Sequence, residues 1–231
     1  MHRINKDVKR RSLPAHVREH LDYISHFQVK AQIGGFTFLL LDLFILLPLL
    51  NPPNQLFLWT IGPLLAGVSL WAVSLLMRRV EETELESILF LGCLGGAGSL
   101  SYLLITVKYC LVLGVTSPGY YAFLVLTYLV IMVLFIKHYR SKFSSLDDRP
   151  IKPVSKWQYA VVGIVIPLGN VLANIVLGFS ESVMLSVLTM IFFGFSITYM
   201  FLLTKFLHKY LFIKTNYSFA TFSKKESVKE F

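Results

Sequence analysis

The sequence carries one carboxylate, Asp42, near the middle of an otherwise apolar stretch of membrane length, residues 33–50. A charge at the centre of a membrane-spanning helix costs about 3 kcal/mol on insertion scales, so such residues usually face a bundle interior and have a polar partner. The best candidates for that partner are Asn170 and Asn174, four residues apart on one face of another apolar stretch. We therefore predict an intramembrane polar cluster of Asp42, Asn170 and Asn174, with Thr189 or Ser196 as further members.

Pro167 and Gly169 interrupt the apolar stretch just before the first of these asparagines. Proline removes a backbone hydrogen bond and kinks a helix, and broken membrane helices line the substrate sites of transporters. Asparagines in membrane helices also hydrogen-bond to neighbouring helices as a structural device. The sequence leaves two interpretations of the cluster open, a wet transport site and a dry contact between helices.

His16, Glu19 and His20 match H-x-x-E-H, a pattern in which two histidines bind zinc and the glutamate acts as a general base. A zinc hydrolase also needs a third protein ligand and a walled cleft, but little soluble mass surrounds this segment. His26 follows His20 by six residues, which on a helix places it about 120° away. We expect solvated histidines on a helix face, and predict no catalytic residue, no metal site and no cofactor.

Gly92, Gly95 and Gly96 form a stripe of small residues in the third apolar stretch. The Gly92-x-x-x-Gly96 spacing lets two helices approach closely. We predict tight packing here, against either another span of the chain or a second copy.

Lys108 lies near the other end of the same stretch, and we expect its side chain to reach the outer membrane interface, with an ion pair to Asp42 as the alternative.

Six stretches are long and apolar enough to form membrane-spanning helices, which need about 20 residues each. They comprise residues 33–50, 56–77, 87–113, 120–136, 157–177 and 183–203. Hydrophobic residues make up 55% of the chain, against roughly 45–50% in soluble domains. The predicted fold is an all-α, polytopic integral membrane protein with a six-helix transmembrane domain at residues 33–204.

Basic residues lie almost entirely on one side of these spans, since Lys108 is the one exception among 22 lysines and arginines. Cytoplasmic loops collect such residues, so we predict a multi-pass protein of the cell membrane with both termini cytoplasmic, including a basic tail at residues 205–231. The net charge of +9 is distributed between apolar stretches rather than on a soluble module. We therefore predict an anionic lipid bilayer as partner, and no nucleic acid.

Residues 1–32 form the basic cytoplasmic segment that precedes the first span. Within it, residues 12–32 carry apolar side chains at helical spacing, which predicts one amphipathic helix on the membrane surface or, alternatively, a helix that docks onto a partner. Lys9, Arg10 and Arg11 lie just before it, and we predict that they contact lipid headgroups.

Residues 78–89, RRVEETELESIL, resemble the E-x-x-x-T-L-E-x-L-L cytoplasmic element of ABC-2 type export permeases, which also have six spans. The resemblance implies a membrane subunit of a transporter. A charged start to the third span explains the same carboxylates structurally, because acidic residues stabilise a helix N-terminus.

The layout as a whole resembles small six-span membrane proteins of unknown function from low-GC Gram-positive bacteria, some of which are encoded beside type VII secretion systems and their toxins. The resemblance rests on the basic start HRINKDVKRRSLPAHVREHLDYISHF, the Phe/Leu-rich spans, the short outer loops and the tail SKKESVKEF. It implies a non-enzymatic accessory or immunity-type protein that acts through protein–protein or protein–lipid interaction. Its expected partner is another membrane protein or a second copy in a homodimer.

Overall fold

The computed structural model describes residues 4, 10–22, 26–143 and 180–222. These residues form helices and connecting turns and no strand, so the predicted all-helical fold is confirmed for them. After a 3-10 turn at Arg10–Ser12, the α-helices are α1 (Ala15–Leu21), α2 (His26–Gly34), α3 (Phe44–Leu50), α4 (Gln55–Met77), α5 (Val80–Val112), α6 (Pro118–Lys142) and α7 (Glu181–Thr215), and a 3-10 turn at Tyr217–Phe219 follows α7. A π-helix at Gly35–Leu43, called here the π segment, joins α2 to α3 without a break.

Five of the described helices are long and apolar enough to cross a membrane: Phe27–Leu50, which contains the π segment, and α4, α5, α6 and α7. They correspond to five of the six predicted stretches. The remaining predicted span, residues 157–177, lies outside the described residues. Helix α5 begins at Val80 and includes Glu81 and Glu82 in its first turn, because carboxylates interact favourably with the helix dipole there.

The segment at residues 12–32 is not the single helix that the periodicity predicts. Helix α1 ends at Leu21, and Asp22 has an extended backbone. Val17 and Leu21 on α1 are 1% and 0% exposed, and α1 packs against α7. The apolar face of α1 is therefore covered by protein, because the C-terminal part of α7 provides the apolar surface that we expected from lipid.

Helix α5 lies at the centre of the bundle, and α6 lies at its edge. In the most apolar window of each helix, 61% of residues are buried on α5 but only 11% on α6. The two extensive neighbours of α5 are α7 and α4. Helix α6 leaves a row of large apolar side chains exposed, which includes Phe123, Leu126, Val130 and Leu134.

Helices α5 and α7 are antiparallel, because Gly92 lies beside Leu207 while Ser99 bonds with Ser196. Helices α6 and α7 are parallel. The Phe135 and Phe201 rings lie 5.8 Å apart, and further along both helices the Phe143 and His208 rings lie 5.0 Å apart. One end of the bundle therefore holds α1, the end of α6 and the end of α7.

Candidate functional site

The glycine stripe of α5 is where this helix approaches α7 most closely. A Cβ atom on Gly95 would lie 2.3 Å from the backbone nitrogen of Leu203, and one on Gly98 would lie 2.2 Å from the Tyr199 ring. A Cβ atom on Gly92 would lie 3.2 Å from the Leu207 nitrogen. On Gly96 it would meet only the side chain of Leu203, at 3.5 Å. The described neighbour of the stripe is thus α7 of the same chain.

The close approach brings hydroxyl groups into contact with backbone carbonyls across the α5–α7 interface. The Ser99 hydroxyl donates to the Ser196 carbonyl at 2.9 Å, and the Ser196 hydroxyl donates to the Ser99 carbonyl at 2.8 Å. The hydroxyl of Tyr128 on α6 lies 3.0 Å from the Ser99 hydroxyl. These bonds join α5, α6 and α7 in the apolar interior.

Ser196 and Thr189 do not belong to the Asp42 cluster, contrary to our expectation. The hydroxyl of Ser196 donates to α5, as described above. Thr189 donates to the carbonyl of Leu185 in its own helix at 2.7 Å, a common arrangement for a threonine in a membrane helix. A polar side chain in an apolar stretch predicts an interior contact, but it does not determine which neighbouring helix provides the partner.

Two tyrosine hydroxyls bond to carbonyls of the π segment. The Tyr199 hydroxyl donates to the Phe36 carbonyl at 2.7 Å, and the Tyr102 hydroxyl donates to the Leu40 carbonyl. A π-helix departs from the regular hydrogen-bond pattern of an α-helix and often marks a functional site. Each backbone polar group in a membrane needs a partner inside the protein, and the tyrosines of α5 and α7 provide such partners here.

Asp42 lies in the π segment and is joined to α4 by a hydrogen bond. Its Oδ2 atom accepts from the Ser69 hydroxyl at 2.7 Å. Its Oδ1 atom is buried and has no hydrogen-bond partner among the described residues. The predicted partners Asn170 and Asn174, and the predicted kink at Pro167 and Gly169, lie outside the described residues.

Ser69 is the member of the site that the sequence did not reveal. It lies in the second apolar stretch, and the short connection between α3 and α4 makes those helices antiparallel neighbours. That hairpin was predictable, and a search for hydroxyl groups on its second helix finds Thr60, Ser69 and Ser74. The sequence alone does not rank these three residues.

Lys108 does not pair with Asp42, so that alternative was wrong, and its side chain is buried against the end of α3. Its side chain is 1% exposed, and its Nζ atom donates to the carbonyls of Pro48 and of Leu49, the latter at 3.1 Å. The last carbonyls of a helix have no partner within that helix, and a cation near a helix C-terminus is favourable. Lys108 therefore completes the C-terminal end of α3.

We expected the histidines of the H-x-x-E-H pattern to be solvated. They lie instead in an aromatic cluster. His20 Nε2 and His208 Nδ1 are 3.2 Å apart. The Phe143 ring stacks on His20 at 4.2 Å and on His208 at 5.0 Å, while His16 lies 5.9 Å from it. Burial, followed by the positive charge of Lys209 and then by His208, lowers the pKa of His20 to about 2. His20 is therefore neutral near pH 7.

The two ends of the chain meet around this cluster, in what we call the terminal junction (residues 10–22 and 208–221). Arg10 forms an ion pair with Asp22 and donates to the Thr221 hydroxyl at 2.6 Å. The Thr221 hydroxyl in turn donates to the Asp22 carboxylate at 2.7 Å. Lys209 donates to the Asp22 carbonyl at 3.0 Å. Of the predicted headgroup contacts, Arg10 is thus held at the junction, Arg11 is exposed and Lys9 lies outside the described residues.

The acidic element at residues 78–89 forms the connection to α5 and its first turns. Glu86 accepts a hydrogen bond from Arg78 at 2.8 Å and one from the indole of Trp71 at 3.1 Å. These bonds fasten the end of α4 to the start of α5. The element therefore has a structural role in the described bundle, whatever else it contacts.

The polar groups described above form hydrogen bonds and ion pairs within the bundle. Within the described ranges, no group of three histidine, cysteine or acidic side chains is arranged to hold a metal ion. Comparisons with models of known protein families, with curated protein sequences and with solved structures each found no match. Function must therefore be inferred from the arrangement of this chain's own residues.

Proposed function

We propose that this chain is a non-enzymatic, multi-pass membrane protein that acts by binding lipid and another membrane protein. The proposal rests on the observation that polar side chains in the described spans bond to neighbouring helices. Ser99, Ser196, Tyr102, Tyr199 and Lys108 all form hydrogen bonds between helices. Such an interior holds the helices in fixed positions, which suits a protein whose function resides on its surface.

We also propose that the chain has six spans and that both termini are in the cytoplasm. The end of α6 packs against His208 near the end of α7, whereas α7 begins at Glu181. At a rise of about 1.5 Å per residue, those two points on α7 are roughly 40 Å apart. The chain must cover that distance between residues 143 and 181, which supports a sixth span at residues 157–177. The distribution of basic residues supports the orientation.

The proposed protein contact is the apolar row on α6. Phe123, Leu126 and Leu134 are each at least 58% exposed, and exposed apolar rows of this length face lipid or a neighbouring helix in membrane proteins. Leu124 on the same helix is only 7% exposed. The partner is a membrane protein or a second copy of the chain, as an accessory or immunity-type role implies.

A photo-crosslinking residue at position 126 tests this contact, with the same residue at position 124 as a control. Both variants are expressed as full-length protein in native membranes and irradiated, and the products are identified by mass spectrometry. We expect a product of one defined mass, containing one partner protein or a second copy, from position 126 and not from position 124. Lipid adducts alone at position 126 would exclude a protein contact on this face.

A transporter subunit is the second candidate, and the Asp42 carboxylate favours it. One oxygen of Asp42 bonds to Ser69, while Oδ1 is buried without a described partner. An ionisable residue within a membrane helix marks an ion pathway in many transporters. The ABC-2-like element and the predicted cluster with Asn170 and Asn174 point to the same class.

Flux measurements distinguish the two candidates. Wild-type protein and an Asp42→Asn variant are reconstituted in vesicles, and proton and sodium fluxes are recorded together with the midpoint of thermal unfolding. The binding function predicts no flux above that of empty vesicles and a changed stability for the variant. A wild-type flux that Asp42→Asn abolishes at unchanged stability would establish transport instead.

A further inference from the structure

A basic cavity lies beside α1 at the terminal junction. It has a volume of about 520 Å³, and the described residues that line it are Arg10, Arg11, Ala15, Arg18, Glu19 and Asp22. Small-ligand sites in proteins typically measure about 300 to 1,000 Å³. The cavity is large enough for a small organic anion, and three of its lining side chains are guanidinium groups.

Asp22 holds one of these guanidinium groups in place. Its carboxylate pairs with Arg10 and accepts from the Thr221 hydroxyl at 2.7 Å, and that hydroxyl accepts from Arg10 at 2.6 Å. This closed triangle orients Arg10 through two partners on different segments of the chain. The negative charge of Asp22 is therefore largely neutralised by a residue that borders the cavity.

The remaining donors at the cavity lack acceptors among the described residues. The Nε atom of Arg10 is buried and has no described hydrogen-bond partner. Arg11 and Arg18 are exposed, and neither side chain bonds to a described residue. Because the Arg10 Nε atom is buried from solvent, the accessible donors are the exposed guanidinium groups of Arg11 and Arg18, and an anionic oxygen in the cavity would provide an acceptor for them.

The chemistry of the lining indicates a phosphate that carries hydroxyl groups. Guanidinium forks match the oxygens of phosphate in bidentate fashion. Glu19 contributes a carboxylate at the same cavity, which disfavours a ligand with a second negative charge nearby and accepts hydrogen bonds from hydroxyl donors. A monoanionic phosphodiester with a hydroxyl-bearing substituent satisfies both kinds of side chain.

The place of the cavity in the chain indicates a lipid as the source of that phosphate. Asp22 lines the cavity, and the membrane-length helix Phe27–Leu50 begins five residues later. Lipid headgroups lie where such helices enter the membrane. We propose that Arg10, Arg11 and Arg18 bind the phosphate of an anionic glycerophospholipid and that Glu19 accepts a hydroxyl of its glycerol headgroup. This inference rests on the proposed membrane function and gives it a defined lipid site.

A defined site and general attraction between charges make opposite predictions for Asp22. Removing a carboxylate makes the protein more basic, so general attraction to an anionic surface should increase, by roughly five-fold for one charge. In a defined site the same change releases Arg10 and weakens binding. Thr221→Val extends the comparison, because it removes a partner of Arg10 without any change in charge.

The experiment uses the full-length protein in neutral detergent, titrated with short-chain dioctanoyl phosphatidylglycerol. We expect Arg18→Gln to weaken binding by about 10- to 100-fold, as loss of a charge-assisted hydrogen bond does. Asp22→Asn and Thr221→Val are both expected to weaken it by about 10-fold on the same grounds. Arg79→Gln is the matched control, because Arg79 is an exposed arginine in the α4–α5 connection and does not line the cavity.

Two further ligands identify the source of the phosphate. Dioctanoyl phosphatidylcholine has the phosphodiester without hydroxyl donors in its headgroup, and we expect it to bind at least about 10-fold more weakly. Glycerophosphoglycerol provides the same monoanionic phosphodiester and hydroxyl groups without acyl chains. If it binds as tightly as the lipid, the cavity takes a soluble phosphoester and the lipid assignment is wrong.

The outcomes separate this inference from the proposed function. Equal weakening by Arg18→Gln and Arg79→Gln, or stronger binding by Asp22→Asn, would overturn the defined site and leave general attraction to anionic lipid intact. No preference of the wild-type protein for phosphatidylglycerol over phosphatidylcholine would overturn the defined site and also the anionic-lipid part of the proposed function, and it would leave the protein contact on α6 to its own test. If Asp22→Asn does not fold, Thr221→Val decides, because unchanged affinity in that variant would overturn the proposed support of the site by the Arg10–Thr221–Asp22 triangle.

Discussion

Replacing Gly95 by alanine should separate α5 from α7 and destabilise the bundle. The added Cβ atom would lie 2.3 Å from the nitrogen of Leu203 and 2.9 Å from the carbonyl oxygen of Tyr199. Ordinary contacts begin at 3.4 Å, so the two helices must move apart by about 1 Å. Both obstructing atoms belong to the backbone of α7, and no change of side-chain rotamer relieves the contact.

The expected loss in the free energy of unfolding is the balance of destabilising contacts against the higher helix propensity of alanine. Overpacking of this kind typically costs about 1–3 kcal/mol, and separation of the helices also weakens the reciprocal bonds of Ser99 and Ser196, at about 0.6 kcal/mol each in a membrane. The higher helix propensity of alanine stabilises the folded state by about 0.8–1.0 kcal/mol relative to glycine. We expect a net loss of about 1–3 kcal/mol.

Gly96→Ala is the matched control, because it makes the same chemical change one residue further along. Its Cβ atom would meet only a flexible side-chain atom of Leu203, at 3.5 Å, so we expect equal or greater stability. Reversible unfolding in mixed detergent micelles, followed by tryptophan fluorescence, measures both variants. If Gly95→Ala is as stable as Gly96→Ala, the close approach between α5 and α7 is wrong.

Three further predictions concern the polar contacts. Lys108→Met leaves the Leu49 carbonyl without its donor and should lower the free energy of unfolding by about 1–3 kcal/mol. Tyr199→Phe removes the hydroxyl that bonds to the Phe36 carbonyl and should lower it by about 0.5–1.5 kcal/mol. The lowered pKa of His20 means that the folded state requires the neutral ring, so its contribution is complete above pH 6.5 and is lost as the pH falls. At pH 5 this loss should amount to about 2 kcal/mol.

Each of these predictions has a control in the same chain. Lys214→Met removes a lysine that is exposed and should leave the unfolding free energy within about 0.5 kcal/mol. Tyr210→Phe makes the same change on α7 at a hydroxyl that bonds to no described residue, and an effect equal to that of Tyr199→Phe would argue against the carbonyl contact. His20→Phe retains a ring to stack on Phe143 but does not titrate. If acidification destabilises this variant as much as the wild type, His20 is not the responsible group, and His208 beside it, whose pKa is lowered to about 4 by burial, becomes the candidate.

The terminal junction illustrates a contact that sequence reasoning could not find. His16 and His20 were recognised as a pair at helical spacing, and the apolar face of α1 was predicted correctly. Their neighbours Phe143 and His208 come from distant parts of the chain. A periodic pattern describes one face of one helix and carries no information about which other helix covers it.

Lys108 and Asp42 show the same limit inside the bundle. A single charged residue in an apolar stretch predicts a partner, and both residues have one. Lys108 bonds to the carbonyls at the end of α3, and Asp42 bonds to Ser69 on α4. Backbone carbonyls are present at every position of a sequence, so no pattern of side chains marks the ones that a distant lysine will reach.

The sequence by itself determined that the chain forms long apolar helices, because a run of about 20 apolar residues is a local property that any membrane-spanning helix requires. It also indicated the helix with the closest approach, because small residues at helical spacing permit contact between backbones. Only the tertiary structure decided which groups are partners. The α5 glycines pack against α7, Lys108 bonds to carbonyls of α3, and Arg10 before α1 bonds to Thr221 after α7. Those pairings depend on which helices are neighbours, and neighbours are chosen by the packing of the whole bundle.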